Sequence, residues 1–259
     1  MYGNFPKTLW NGGRGKEHMT LEYSEIERYI DLYNSNDIHL RFIFTNQLLT
    51  EEHLSDEYCN RICEIANNGL NSIVIYSDLL EEYLRDKYKN FKFISSTTKY
   101  LTSKEDTLSE LEKDYELVCL YYEHNKDTDF LRSIKNKHKV EFLANQYCTD
   151  FCPHKRLHYK VVSQENLGLK TDDFKCIGIR AHFNEAKEGK FFLSNEDLQY
   201  YDSLGFHHFK LEGRCSYFET IIDSYLYYMV KPEYWDSVKN FLYGKMSTDP
   251  HGLLLERDI

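Results

Sequence analysis

A pair of cysteines lies four residues apart in the segment VEFLANQYCTDFCPHKRLHY, directly after an apolar run typical of a buried strand. Thiolates that a turn brings together beyond a strand end can hold a soft metal ion or an iron–sulfur cluster. A closed site needs four ligands, and a site with one open metal position needs three. We therefore take Cys148 and Cys152 as candidate ligands, with Cys176 from the same long connection as the third. The candidates for a fourth ligand are His154, His158 and Cys215.

The same cysteine spacing is also common among plain thiols, so a motif of this kind is a hypothesis about metal binding. The other cysteines favour burial as small apolar side chains. Cys59 and Cys63 lie on one amphipathic helical segment, and Cys119 lies in the apolar run LVCLYY.

Charged residues end the last apolar strand, in the segment FKLEGRCSYFE. At the carboxyl end of a barrel strand they would face the side where such folds place their active sites. Arg214 could bind a carboxylate or phosphate bidentately, and Glu212 could orient it or act as a general base. The alternative is an ion pair that only ties the last strand to its neighbours.

A glycine-rich loop, WNGGRGK, follows the first strand. Glycines let backbone amides approach an anion closely, and Arg14 would add a positive charge. The spacing is not that of a Walker loop, and an ordinary surface loop is the alternative. Arg14 joins Glu212 and Arg214 as a candidate catalytic residue.

Composition limits the class of protein. The chain has 259 residues, of which 29% are charged and 41% apolar, and it has no apolar run of the roughly 20 residues that a membrane span needs. No secretory signal pattern is present, so we expect a soluble, cytoplasmic protein without membrane contact. The net charge of -10 argues against general nucleic-acid binding. Seven cysteines, an odd number, favour thiols or metal ligands over a disulfide framework.

Short β-rich runs alternate with helical segments, an arrangement typical of parallel sheets with crossover helices. This pattern predicts one domain over residues 1–259, an eight-stranded β/α barrel of the TIM type, with a doubly wound open sheet as the alternative. Two C-terminal helices are expected within 216–243. The eight predicted strands are Met1–Phe5, His39–Thr45, Ser72–Tyr76, Phe91–Ser95, Glu116–Tyr121, Lys139–Ala144, Lys190–Leu193 and Phe206–Leu211.

The connection after the sixth strand, 145–189, is far longer than the usual 2–6 residues or so. Long loops of compact domains are often functional. Because this one carries Cys148, Cys152 and Cys176, we expect it to form part of the site.

Three segments together resemble the collagenase-like peptidase family U32. They are the stretch from 71 to 103, the cysteine segment VEFLANQYCTDFCPHKRLHY, and LSNEDLQYYDSLGFHHFKLEGR, in that order along most of the chain. The resemblance implies a β/α barrel. It also implies iron–sulfur chemistry in some branches, whose members hydroxylate ubiquinone precursors or RNA bases with a cluster held by four cysteines. Cys148 and Cys152 match the close pair of that pattern, and Cys176 fits a third cysteine of a long-loop subgroup. At the end of the second strand, where relatives often have a further cysteine, this chain has Asn46-Gln47-Leu48-Leu49.

Three functions follow from these observations. The first is an enzyme that depends on an iron–sulfur cluster, or on zinc as the alternative metal, and acts on an unidentified substrate at the carboxyl end of the barrel. The second is a hydrolase of the peptidase kind, although no Ser-His-Asp, Cys-His or HExxH arrangement supports proteolysis. The third is a non-catalytic barrel in which a metal only fastens the long loop.

Overall fold

A curled parallel β-sheet of seven strands forms the centre of the computed structural model, which describes residues 1–13, 20–176, 178, 180, 182–213 and 217–248. The strands neighbour one another in chain order, and every pair is parallel. They are β1 (Tyr2–Gly3), β2 (Arg41–Phe44), β3 (Ser72–Ile75), β4 (Lys92–Ser95), β5 (Leu117–Cys119), β6 (Val140–Leu143) and β7 (His208–Lys210).

Helices connect the strands, as parallel neighbours require. Several begin at a side chain that accepts a hydrogen bond from the first helical turn, as Asp56, Ser77 and Ser103 do. The α-helices are α1 (Tyr23–Asn34), α2 (Glu51–Leu54), α3 (Glu57–Ala66), α4 (Asp78–Lys87), α5 (Lys104–Leu111), α6 (Thr128–Ser133), α7 (Lys155–Asn166), α8 (Phe183–Lys187), α9 (Asn195–Ser203), α10 (Phe218–Met229) and α11 (Trp235–Thr248).

Alternate side chains of the strands pack on opposite faces of the sheet. The outer face joins the helices in the large apolar core, to which Phe44, Ile75 and Phe142 contribute. The concave inner face carries a second, small cluster of Ile43, Val74, Ile94 and Leu117, with Tyr2 packed against it. Both faces are buried, which explains why the strands are almost continuously apolar in sequence.

A buried carboxylate lies inside the curled sheet and contacts side chains of several strands. Glu141 on β6 is 2% exposed, and it accepts hydrogen bonds from the Tyr2 hydroxyl and from Arg41 Nη1, the latter at 2.8 Å. Its second oxygen lies 3.9 Å from Lys210 Nζ, which in turn lies 3.7 Å from the centre of the Tyr2 ring. Burial and the Glu141 charge raise the pKa of Tyr2, so the phenol keeps the proton that it donates. Side chains of β1 and β2 therefore contact those of β6 and β7 across the interior.

The predicted α/β class and parallel sheet agree with the structure, and a TIM-type barrel is consistent with its curled half-barrel. The prediction of eight strands is not confirmed, because the described residues form seven. The proposed strand Lys190–Leu193 is wrong: β7 pairs directly with β6, and a single bond from Leu193 N to Ala144 O joins that segment to the end of β6. Phe191 and Phe192 are buried in a connection, and apolar runs of this length cannot be assigned by pattern alone.

The stretch 145–189 is also more regular than a loop, since it contains α7 and α8. The two expected C-terminal helices are present as α10 and α11. Among the helices that the structure describes, none combines the length and the apolar character needed to cross a membrane.

We expect Glu141→Gln to lower the free energy of unfolding by roughly 3 kcal/mol, because it leaves Arg41 and Lys210 without their buried counter-charge. Urea unfolding followed by circular dichroism measures the change. Glu82→Gln, at an exposed position of α4, is the matched control and should alter stability by less than about 0.5 kcal/mol. Equal stability of the two variants would contradict the role given to Glu141.

Candidate functional site

The carboxyl ends of β6 and β7 are joined by a pair of side-chain to backbone hydrogen bonds. The Glu212 amide donates to Asn145 Oδ1 at 2.6 Å, and Asn145 Nδ2 donates to the Glu212 carbonyl at 2.8 Å. The Glu212 carboxylate in turn accepts a hydrogen bond from the Tyr147 amide at 3.2 Å. Asn145 is fully buried and also binds Ser224 on α10. Glu212 is therefore held in a defined position beside the first residues of the long connection.

The cysteine turn that follows is fastened by an arginine from far along the chain. Arg180 forms a two-pronged ion pair with Asp150, with its shorter distance at 2.7 Å, and donates from Nη1 to the Cys148 carbonyl at 2.7 Å. The Arg180 amide donates to the Tyr147 carbonyl. Such paired, charge-assisted bonds fix geometry as well as adding stability. The turn carrying Cys148 and Cys152 is thus pinned at the strand ends.

Within that turn, Phe151 has a left-handed backbone with φ of 51° and is 55% exposed. Its ring packs edge-on against Phe191 at 5.1 Å, and Lys190 Nζ lies 4.8 Å from its centre. A non-glycine residue in this conformation is uncommon, and here the chain reverses sharply between the two cysteines.

Helix α7 begins immediately after the turn, and its first residue is Lys155. This lysine is 6% exposed, and its ammonium group lies 3.7 Å from the centre of the Tyr122 ring. Burial lowers the pKa of Lys155, while the nearby charges of Cys148 and Glu212 act in the opposite direction. In the described part of the chain, Lys155 has no hydrogen bond or ion pair from its side chain.

Helix α7 continues from there to the ends of β1 and β2. Near its last turn, Asn166 Nδ2 donates to the Asn11 carbonyl at 2.9 Å, and the Ser163 carbonyl accepts from Asn46 Nδ2 at 3.2 Å. Twelve residues of α-helix span about 18 Å, enough to reach from one side of the sheet's carboxyl edge to the other. In the middle of α7, burial raises the pKa of the Tyr159 phenol, and the charge of Glu212 raises it further.

We call this group of side chains the strand-end site. Its members come from the ends of β5, β6 and β7 and from the inner side of α7. They are Tyr122, Glu123, Cys148, Cys152, Lys155, Tyr159 and Glu212.

The predicted metal ligands do not all lie in the strand-end site. Cys152 is buried and Cys148 half-buried, but Cys176 is exposed, with its sulfur 3.6 Å from the Gly178 carbonyl. His154 is exposed, and His158 stacks on Phe174 with ring centres 4.8 Å apart. Of the residues that the structure describes, no three His, Cys, Asp or Glu side chains form a group that could hold a metal ion. The iron–sulfur cluster and zinc therefore stay predictions from the sequence.

Three predicted site residues, Arg14, Arg214 and Cys215, lie outside the described residues. Of the predicted catalytic residues, the structure therefore places Glu212 alone. In the glycine loop, a β-carbon on Gly12 would overlap the Thr45 backbone at the end of β2, and the Gly13 amide donates to Asn11 Oδ1 at 2.7 Å. This part of the loop is thus engaged with the chain itself.

Four residues of the strand-end site were missed in the sequence, namely Tyr122, Glu123, Lys155 and Tyr159, and so was Arg180, which fastens the cysteine turn beside it. Lys155 and Tyr159 lie in the segment that resembles the family motif, but a lysine in a polar stretch is usually exposed. Arg180 had no local signal, because its partner Asp150 is thirty residues away.

Comparisons with known proteins add one likeness. No family model and no curated protein matches the chain. Among solved structures, that of the U32 peptidase Mk0906 aligns with 65% of this chain and 70% of that one. The chain is similar to that U32 peptidase, with a TM-score of 0.47 and a sequence identity of 16%.

We expect native protein to react with a thiol reagent such as DTNB rapidly at Cys176 and slowly or not at all at Cys59, Cys63 and Cys119, which are buried. Mass spectrometry of the labelled peptides identifies the sites, and Cys176→Ser is the control that removes the fast phase. Protection of Cys176 that is lost on adding a chelator would instead indicate a metal ligand.

Gly12→Ala should lower the free energy of unfolding by about 2 kcal/mol, because the added carbon overpacks the end of β2. Gly3→Ala is the matched control, since nothing lies within 4 Å of its β-carbon position. Thermal unfolding compares the two variants, and equal melting temperatures would show that the loop yields without cost.

Proposed function

We propose that the chain is an enzyme that transfers protons to and from a small substrate at the strand-end site, with Glu212 as the general base. The observation that carries the proposal is the position of Glu212, which Asn145 and Tyr147 hold at the carboxyl end of β7. From there its charge acts on both Lys155 and Tyr159. A base must be held within hydrogen-bonding reach of the proton that it accepts, and rigid backbone anchoring supplies that.

The neighbours of Glu212 suit this chemistry. The Tyr159 phenol, whose pKa burial raises, is protonated at neutral pH, so it can donate a hydrogen bond to a substrate opposite the base. The ammonium of Lys155 can stabilise negative charge that develops on the substrate, and does so more strongly than an exposed lysine because this side chain is buried.

Hydrolysis belongs to this class of reaction, with Glu212 activating a water molecule, so the hydrolase alternative remains within the proposal. The iron–sulfur cluster and zinc are not part of it. Among the described residues, no three candidate ligands come together. A barrel that only binds a partner is the remaining alternative.

We expect Glu212→Gln to slow substrate turnover by at least about 100-fold while leaving the fold intact, since the amide cannot accept the proton. The assay incubates purified protein with a cell-metabolite mixture, with and without added iron and sulfide, and follows consumption by mass spectrometry. Glu188→Gln, at an exposed position, is the control and should retain full activity.

Equal turnover by the wild type and the folded Glu212→Gln variant would remove Glu212 from the reaction. If no metabolite is consumed by either protein, with or without iron and sulfide, the binding-barrel alternative replaces the enzyme.

A further inference from the structure

Lys155 differs from Lys99 and Lys210, two other poorly exposed lysines. The Lys99 ammonium lies 2.8 Å from a Glu110 oxygen, and Lys210 lies 3.9 Å from Glu141. Lys155 is 6% exposed, yet in the described part of the chain its charge contacts a ring, that of Tyr122, and no carboxylate at ion-pair distance. A buried charge without an ionic partner is costly, so it calls for an explanation beyond packing.

The backbone next to Lys155 has the same preference for negative charge. Lys155 is the first residue of the twelve-residue helix α7, and the side chain of the N-cap residue His154 forms no capping hydrogen bond. The amides of a first helical turn point outwards and carry a partial positive charge. The ammonium and the helix start therefore favour the same kind of ligand, an oxyanion.

From these two observations we infer that Lys155 binds the carboxylate of a small monocarboxylate substrate, held at the start of α7 beside the ring of Tyr122. This inference rests on the proposed function, because it names the substrate class of the same site.

The surroundings of Lys155 favour a single negative charge over a double one. Glu123 and Glu212 both lie close enough to Lys155 to influence its ammonium. A carboxylate in contact with Lys155 gains one close attraction and is repelled by each of the two glutamates. For a phosphate dianion the attraction and the repulsions all double and the glutamates still offset part of the gain, whereas the cost of removing the ion from water rises with the square of its charge.

The test measures binding of four monocarboxylates, glycolate, lactate, pyruvate and benzoate, and of inorganic phosphate, by calorimetry at millimolar concentrations. We expect at least one monocarboxylate to bind the wild type more tightly than phosphate does. Lys155→Met should weaken that binding by about tenfold or more, because it removes a charged hydrogen-bond donor. Lys190→Met is the matched control, since this exposed lysine also lies over aromatic rings, and it should bind within about twofold of the wild type.

Three results would overturn the inference: no monocarboxylate binding by the wild type, tighter binding of phosphate, or unchanged binding in folded Lys155→Met. Where that variant does not fold, acylation of the wild type provides the answer. The bound monocarboxylate should slow acetic anhydride labelling of Lys155 and leave that of Lys190 unchanged, as read by mass spectrometry. Equal labelling of Lys155 with and without the ligand would also contradict the inference.

The same proteins separate this inference from the proposed function. Glu212→Gln should still bind the monocarboxylate, because its carboxylate is not the anion's partner. Binding that depends on Lys155 together with unchanged turnover in Glu212→Gln would remove the general base and keep the substrate class. Loss of turnover in Glu212→Gln without any monocarboxylate binding by the wild type would keep Glu212 as the general base and remove the substrate class.

Discussion

The shape of the sheet depends on the contacts that the buried Glu141 carboxylate makes with side chains of other strands. A buried charge must be compensated, and the groups that compensate it come from β1, β2 and β7. Because side chains of the two edge strands, Tyr2 on β1 and Lys210 on β7, both lie against Glu141 on β6, the sheet curves inwards at both edges. The curl brings the ends of β1 and β2 to within one helix length of the ends of β6 and β7, which is the span that α7 covers.

The strands show what a sequence can reveal of such a fold. Ser72–Tyr76 was predicted to within one residue of β3, because a strand buried on both faces is a short, continuous apolar run between turn residues. The same rule failed at Lys190–Leu193, where three apolar side chains fill a connection. A segment becomes a strand only if it can pair with the free edge of the sheet, and here β7 already pairs with the edge of β6.

Helix α7 was missed for a related reason. Its buried residues are Lys155, Val161, Val162, Ser163 and Gln164, and because three of the five are polar the apolar spacing by which amphipathic helices are recognised is weak. Polar residues face inwards here because they line the site and bond to the strand ends. A functional helix can therefore look like a loop in sequence.

The candidate site was only partly predictable. Charge at the end of a barrel strand predicted that Glu212 lies at the carboxyl edge of the sheet, and it does; its catalytic role stays a proposal. The spacing of Cys148 and Cys152 indicated that they share a turn, but no spacing rule reports where Cys176 lies after a long excursion. Tyr159 and Lys155 become recognisable only once their burial is known.

Arg180 has a consequence for how the chain between β6 and β7 can vary. By binding the Cys148 carbonyl and Asp150, it closes the excursion on itself at its base. Insertions or deletions in the turn after α7, around Gly168, lie between the two segments that Arg180 joins. They therefore leave the positions of the strand ends unchanged. Loop-closure entropy grows slowly with length, so insertions there are thermodynamically mild. The excursion can diverge among descendants of this chain while the residues beneath it stay in register.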